Sequence, residues 1–180
     1  MSVFPRIAAA GAGRMGQGIA QVFAYAGYEV LMVDLKVRPD AQTTLFAKTA
    51  LAEIEKNLHF LASLDVFPDD KIPSIMARIH FQAEPEADQA LSRADFIFEG
   101  VPEVLKIKEP ALERISQVNE QAVIASTTST ILVTRLAEFV HNPARFLNAH
   151  WLNPAYLIPL VEVSPGPATA GETAASLMTL

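Results

Sequence analysis

Cysteine is absent from the chain, which excludes a disulfide framework, a thiol nucleophile and a thiolate metal site. No segment reaches the roughly 18 consecutive apolar residues of a membrane-spanning helix, and residues 1–10 lack the long apolar core of a secretory signal. Basic residues are scarce and form no run: 14 Lys and Arg face 20 Asp and Glu, a net charge of −6 that argues against a nucleic-acid surface. What remains is an acidic globular chain, half of it apolar, with 180 residues for one well-cored domain and part of another. A cytoplasmic location, a small-molecule partner and no metal are the expectations; neither nucleic acid nor membrane is expected as a partner.

One motif stands out against this background. Gly11, Gly13 and Gly16 form G-x-G-x-x-G between an apolar run at 6–10 and a helix-patterned segment at 14–26, with Asp34 about twenty residues on. A tight strand-to-helix turn needs Gly11, close approach of backbone to a pyrophosphate needs Gly13, and close helix–sheet packing favours Gly16. The anion would sit on the free N–H groups and positive dipole end of the helix, at Arg14 and Met15. Glycine also serves plain turns, but Ile19, Val22, Phe23 and Ala26 give the following segment one apolar helical face. Asp34 ends the second apolar run, where its carboxylate can accept the adenosine ribose hydroxyls and repel a 2′-phosphate. NAD is therefore the expected cofactor, with Lys36 and Arg38 close enough in sequence to weaken the preference; a solvated strand-end acid is the bland reading of Asp34.

Strand-like runs recur at 6–10, 29–33, 79–81, 95–98, 122–126, 146–150 and 160–163, mostly separated by helical patterns. The alternation predicts an α/β fold of Rossmann type, doubly wound, with a mostly parallel sheet covered on both faces. Too little chain separates the last two runs for a helix, so the final strand is expected to run antiparallel. Residues 39–78 exceed what a crossover needs and divide near 65–70, which predicts a helical-hairpin insertion after the second strand. Pro110 interrupts a helical pattern at 105–118, so that helix should start late or bend. The expected plan is a dinucleotide-binding domain over 1–163, a Pro/Gly/Ser/Thr-rich linker at 164–171 and, at 172–180, the first turns of a helical domain otherwise absent.

A second constellation lies near the end. His150 closes one apolar run, while Glu162 stands between Val161 and Val163 in the next. A carboxylate buried there would need a partner, and His150 is the nearest in sequence. Paired, they make a base of fixed tautomer suited to taking a proton from an alcohol as hydride departs. Alone, such a pair is more often structural, and Glu162 could equally face solvent.

Taken together, Gly11-Ala12-Gly13-Arg14-Met15-Gly16, Asp34, Phe98-Glu99-Gly100-Val101-Pro102-Glu103, the stretch 126–130, and His150-Trp151-Leu152-Asn153-Pro154 through Leu160-Val161-Glu162-Val163 resemble the L-3-hydroxyacyl-CoA dehydrogenases along essentially the whole chain. The resemblance implies an N-terminal NAD domain with a helical arm and a helical C-terminal domain that mediates homodimerisation. It implies His150 as catalytic base, Glu162 as the carboxylate that orients it, and Ser129 as a hydrogen-bond partner of the substrate oxygen. Asn153 falls in the substrate signature, and Glu103 and Lys108 match residues near the nicotinamide. Each has a plain alternative: a helix N-cap for Ser129, an Asn-Pro turn for Asn153, an exposed helical face for Glu103 and Lys108. The implied reaction is NAD-linked oxidation of an L-3-hydroxyacyl-CoA to the 3-ketoacyl-CoA, a step of fatty acid metabolism, with low activity expected of this part alone. Residues 39–78 carry only Lys48, Lys56, Lys71 and Arg78 where the family's arm often clusters lysines near the CoA phosphates. This keeps open a dehydrogenase of small free hydroxy acids, similar to the gulonate and carnitine enzymes. A non-catalytic NAD-binding module is the alternative of another class.

Overall fold

The computed structural model describes residues 4–180. Strand β1 (Ile7–Ala10) has no exposed residue, and its side chains alternate between two cores: Ile7 and Ala9 face one, Ala8 and Ala10 the other. Three small alanines let helices approach both sides. Around it stand β2 (Val30–Val33), β3 (Ile79–Gln82), β4 (Phe96–Glu99), β5 (Val123–Ser126), β6 (Phe146–Trp151) and β7 (Val161–Pro165), in the spatial order β3-β2-β1-β4-β5-β6-β7. All pairings are parallel except that of β6 with β7, as the short connection predicts. The order reverses between β1 and β4, and in open sheets of this kind ligands bind in the crevice outside that switch point.

Helix α1 (Arg14–Tyr25) buries Gly16, Ile19, Ala20, Phe23 and Ala24 against the sheet, whereas Ala26, expected on that face, is exposed just beyond the last turn. The insertion after β2 is a long helix with a short return: α2 (Asp40–Ser63), a 3-10 turn (Asp69–Lys71) and α3 (Ile72–Met76). The break follows Ser63 and contains Asp65 in the left-handed region at φ 57°. Of α2, Ala50, Ile54 and Leu58 are fully buried, Phe46, Leu51 and Ala62 pack partly buried against the same core, and Ile72 and Ile75 of α3 are buried with them.

The remaining helices are α4 (Ala87–Leu91), α5 (Leu105–Val118), α6 (Val133–Leu136) and α7 (Gly171–Met178). α5 does not start late: it opens at Leu105 and runs through Pro110. Pro110 lies on its exposed face, where water can satisfy the carbonyl of Lys106 that loses its N–H donor. The expected linker is shorter than read, because β7 continues to Pro165. α7 then docks on the same unit, with Thr173 Oγ1 donating to Ala144 O at 2.9 Å, Leu177 in the core and Tyr28 Oη donating to Leu180 O at 3.1 Å.

Candidate active site

A cleft of about 1250 Å³ opens at the carboxyl ends of the strands. Gly11 turns the chain out of β1 at φ +110°, a conformation that L side chains rarely adopt. A Cβ there would lie 2.9 Å from the backbone of Gly100, the residue after β4, so the two strand ends at the switch point approach through bare backbone. At Gly16 a Cβ would meet Gly11 O at 1.9 Å. Gly13 differs: a Cβ would meet nothing within 4 Å. Its open side belongs to the cleft, directly before the first N–H groups of α1, where neither a side-chain cap nor an acidic residue competes for them. That is a cradle for an anionic group, and Arg14 and Met15 line it with Gly11 and Gly13.

Asp34 reaches the cleft beside this turn and is nearly buried, at 5% exposure. Its carboxylate accepts Arg38 Nε at 2.6 Å and the backbone N–H of Lys36 at 3.2 Å.

Across the switch point, Glu103 gathers the loop after β5. Its Oε1 accepts Thr128 Oγ1 at 2.5 Å, the N–H of Ser129 at 2.9 Å and the N–H of Thr130 at 3.1 Å. Desolvation opposes ionisation of this carboxyl, but the hydrogen bonds from Thr128, Thr130 and Ser129 together with the charge of Lys108 outweigh it and hold its pKa down at about 2. Glu103 therefore works as a permanent anion that fixes a loop. Ser129 lines the cleft and does not cap a helix: α6 has no side-chain cap, and the N–H of Ile131 is taken by Thr128 Oγ1 at 3.0 Å.

Lys108 corrects the reading of an exposed helical face. It is completely buried, and Nζ donates to both oxygens of the equally buried Glu99 at 2.9 and 3.0 Å. Ser126 Oγ at 2.6 Å and the N–H of Val101 at 2.9 Å complete the shell of Glu99. The lysine does not line the cleft; it lies beneath, within 3.4 Å of Glu103 Oε2. Glu99, missed as a site residue, joins the turn after β4 to the loop after β5. Only its place in a strand-end Glu-Gly-Val-Pro-Glu run hinted at this.

β6 and β7 pair so that His150 and Glu162 are direct cross-strand partners. Nδ1 of His150 lies 2.8 Å from Glu162 Oε2. The pair forms, though not because Glu162 is buried: its side chain is 60% exposed, and cross-strand register, not desolvation, brings the two together. A carboxylate only accepts, so Nδ1–H is the donor in this contact and Nε2 is the ring nitrogen it leaves uncommitted. His150 and Asn153 both line the cleft that holds Gly11, Asp34, Glu103 and Ser129; Gly16, Lys108 and Glu162 support it from outside.

The pattern of the 3-hydroxyacyl-CoA dehydrogenase NAD-binding domain matches residues 6–180. The chain belongs to this family. It is 35% identical over 168 residues to a probable 3-hydroxybutyryl-CoA dehydrogenase of Deinococcus radiodurans, a match covering 91% of this chain and 55% of that one. With a protein of the same description from Bacillus subtilis it shares 33% over 177 residues, covering 97% and 58%. The crystal structure of (S)-3-hydroxybutyryl-CoA dehydrogenase from Ralstonia eutropha is similar with a TM-score of 0.86 at 30% identity, covering 97% of this chain and 59% of that one. The chain thus spans somewhat more than half the length of the curated relatives it matches. The family's cofactor, NAD, suits what the residues offer: an open backbone cradle at Gly13 for a pyrophosphate and an acid at Asp34 for a ribose. Among the described residues no helix is long and apolar enough to cross a membrane.

Proposed function

We propose that the chain is the cofactor-binding and proton-handling part of an NAD-dependent dehydrogenase that converts an L-3-hydroxyacyl-CoA to the 3-ketoacyl-CoA. The observation that carries this reading is the His150–Glu162 pair on the rim of the dinucleotide cleft. Binding a cofactor alone needs no such pair. Glu162 is the positioning residue: it holds Nδ1–H and stabilises the imidazolium that forms. His150 is the catalytic base, taking the hydroxyl proton at Nε2 as the carbinol C–H electron pair departs. Bound NAD supplies the hydride acceptor. Ser129 and Asn153, on loops at either side, hydrogen-bond the substrate oxygen and restrict its approach. Glu103 and the buried Glu99–Lys108 pair keep the Ser129 loop in place. In the reverse direction imidazolium returns the proton to the forming alkoxide.

The domain plan follows the family: an NAD unit that runs through β7 to Pro165 with α7 docked on it, leading into a helical region through which the whole protein forms homodimers. A cytoplasmic location and a place in fatty acid metabolism belong to the same proposal. One observation favours a second reading, a small free hydroxy acid as substrate. The arm exposes Leu45, Phe60, Leu64 and Val66, a poor surface for CoA phosphates.

The test is His150→Asn. With 3-hydroxybutyryl-CoA, and separately with unesterified 3-hydroxy acids, NADH formation should fall by at least 10³-fold while NAD affinity by calorimetry stays within about threefold. Equal loss of turnover and affinity would place His150 in the fold or the cofactor site and end the reading. Activity on free acids alone would move the assignment to the second substrate class.

A further inference from the structure

Asp34 does not meet the cleft as a free carboxylate. Arg38 Nε donates to Oδ2 at 2.6 Å, and the two side chains are only 20% and 7% exposed. The guanidinium carbon lies 4.1 Å from the centroid of the Phe46 ring, so the aromatic face on α2 and the carboxylate after β2 hold Arg38 from two sides. Among the described residues neither Nη group of Arg38 has a hydrogen-bond partner, and Lys36 Nζ has no ion-pair partner. Arg38, Lys36 and Phe46 line the same cleft as Gly13 and Asp34.

An acid alone at this strand end selects NAD by repelling a 2′-phosphate, whereas an arginine nearby accommodates that phosphate. Here both are present, and they are joined. Nε cancels much of the repulsive charge, and the guanidinium fork leaves its terminal donors for a second anion. The ring beneath Arg38 restrains it before any ligand arrives, which lowers the ordering cost of binding. Lys36, whose backbone is tied to Oδ1 of the same Asp34 at 3.2 Å, adds an ammonium on an exposed stem at the same corner.

We propose that Arg38, aided by Lys36, makes the adenosine-ribose end of this cleft a dual site that accepts the 2′-phosphate of NADP as well as the free 2′-hydroxyl of NAD. The proposal rests on the assignment of the cleft to a dinucleotide and is independent of the reaction at His150.

Calorimetric titration of the 180-residue chain with NAD+, NADP+ and 2′,5′-ADP tests it. NADP+ should bind with a Kd within about tenfold of that for NAD+, and its affinity relative to NAD+ should fall as salt is raised. In Arg38→Met, which keeps an apolar stem over Phe46 but frees the Asp34 charge, the ratio of affinities should move toward NAD+ by about ten- to a hundredfold. Arg38→Lys, a point charge without the fork, should fall between. Binding of NAD+ with NADP+ more than a hundredfold weaker in the unaltered chain would overturn the dual site and leave the dinucleotide assignment standing. An unchanged ratio in Arg38→Met would overturn it as well. Failure of both dinucleotides to bind would remove the assignment itself.

Discussion

Replacing Lys108 by methionine probes the one fully buried charge pair described beneath the cleft. Lys108 and Glu99 are both at 0% side-chain exposure and joined by two hydrogen bonds of 2.9 and 3.0 Å. Removing the lysine leaves a carboxylate in an apolar layer with no cation within reach, a change that costs about 3–5 kcal/mol in comparable buried pairs. Two remaining donors, Ser126 Oγ and the N–H of Val101, soften this. The expected loss is accordingly near the lower end, ~3 kcal/mol, a large share of the ~5–15 kcal/mol that holds a domain together. Glu99→Gln should cost less, because Lys108 retains Glu103 Oε2 at 3.4 Å and the carbonyl of Val101 at 3.4 Å. The double variant should be more stable than Lys108→Met alone, since no charge is then left without a partner. Urea unfolding of the four proteins at neutral pH, followed by the fluorescence of Trp151, gives the cycle; that indole is the only one in the chain and packs on Phe23 and Phe98. A loss below ~1 kcal/mol for Lys108→Met, or a double variant no more stable than Lys108→Met alone, would refute the account of this pair.

The glycine turn separates folding from binding. Gly13→Ala should leave the unfolding free energy within about 0.5 kcal/mol of the parent yet weaken NAD binding at least tenfold, because its Cβ enters only the cradle. Gly16→Ala should instead destabilise by ~1–3 kcal/mol, since its Cβ would stand 1.9 Å from Gly11 O. Acid should loosen the loop after β5: the folded pKa of Glu103, about 2 against an ordinary 4.5, is depressed, so its stabilisation is complete above about pH 4.5 and lost as pH falls through about 2. With the carboxylate over a third exposed, solvent screening reduces this to ~1–2 kcal/mol. Glu103→Gln should flatten that stretch of the unfolding-versus-pH curve, and an unchanged slope would remove Glu103 as the clamp.

Periodic and local features were legible in the bare chain, because hydrophobic alternation and backbone freedom are written in neighbouring residues. They located every strand, the glycine turn, the acid at Asp34, the antiparallel return of the last strand and the His150–Glu162 pair. Register and burial were not legible, since they depend on residues far apart in sequence. Glu162 pairs with His150 through strand register while standing in solvent, and Lys108 vanishes into the core because α5 lays it against Glu99 on β4. Neither helix pattern nor charge count could tell a solvated lysine from one clamped by two carboxylates and a carbonyl. The ring that holds Arg38 comes from the second turn of α2, which opens two residues after it, and Phe46 in turn packs on Phe81 of β3. Sequence determined which elements form and which chemistry they carry. Tertiary structure decided which charges meet, because desolvation and pairing exist only where distant segments pack.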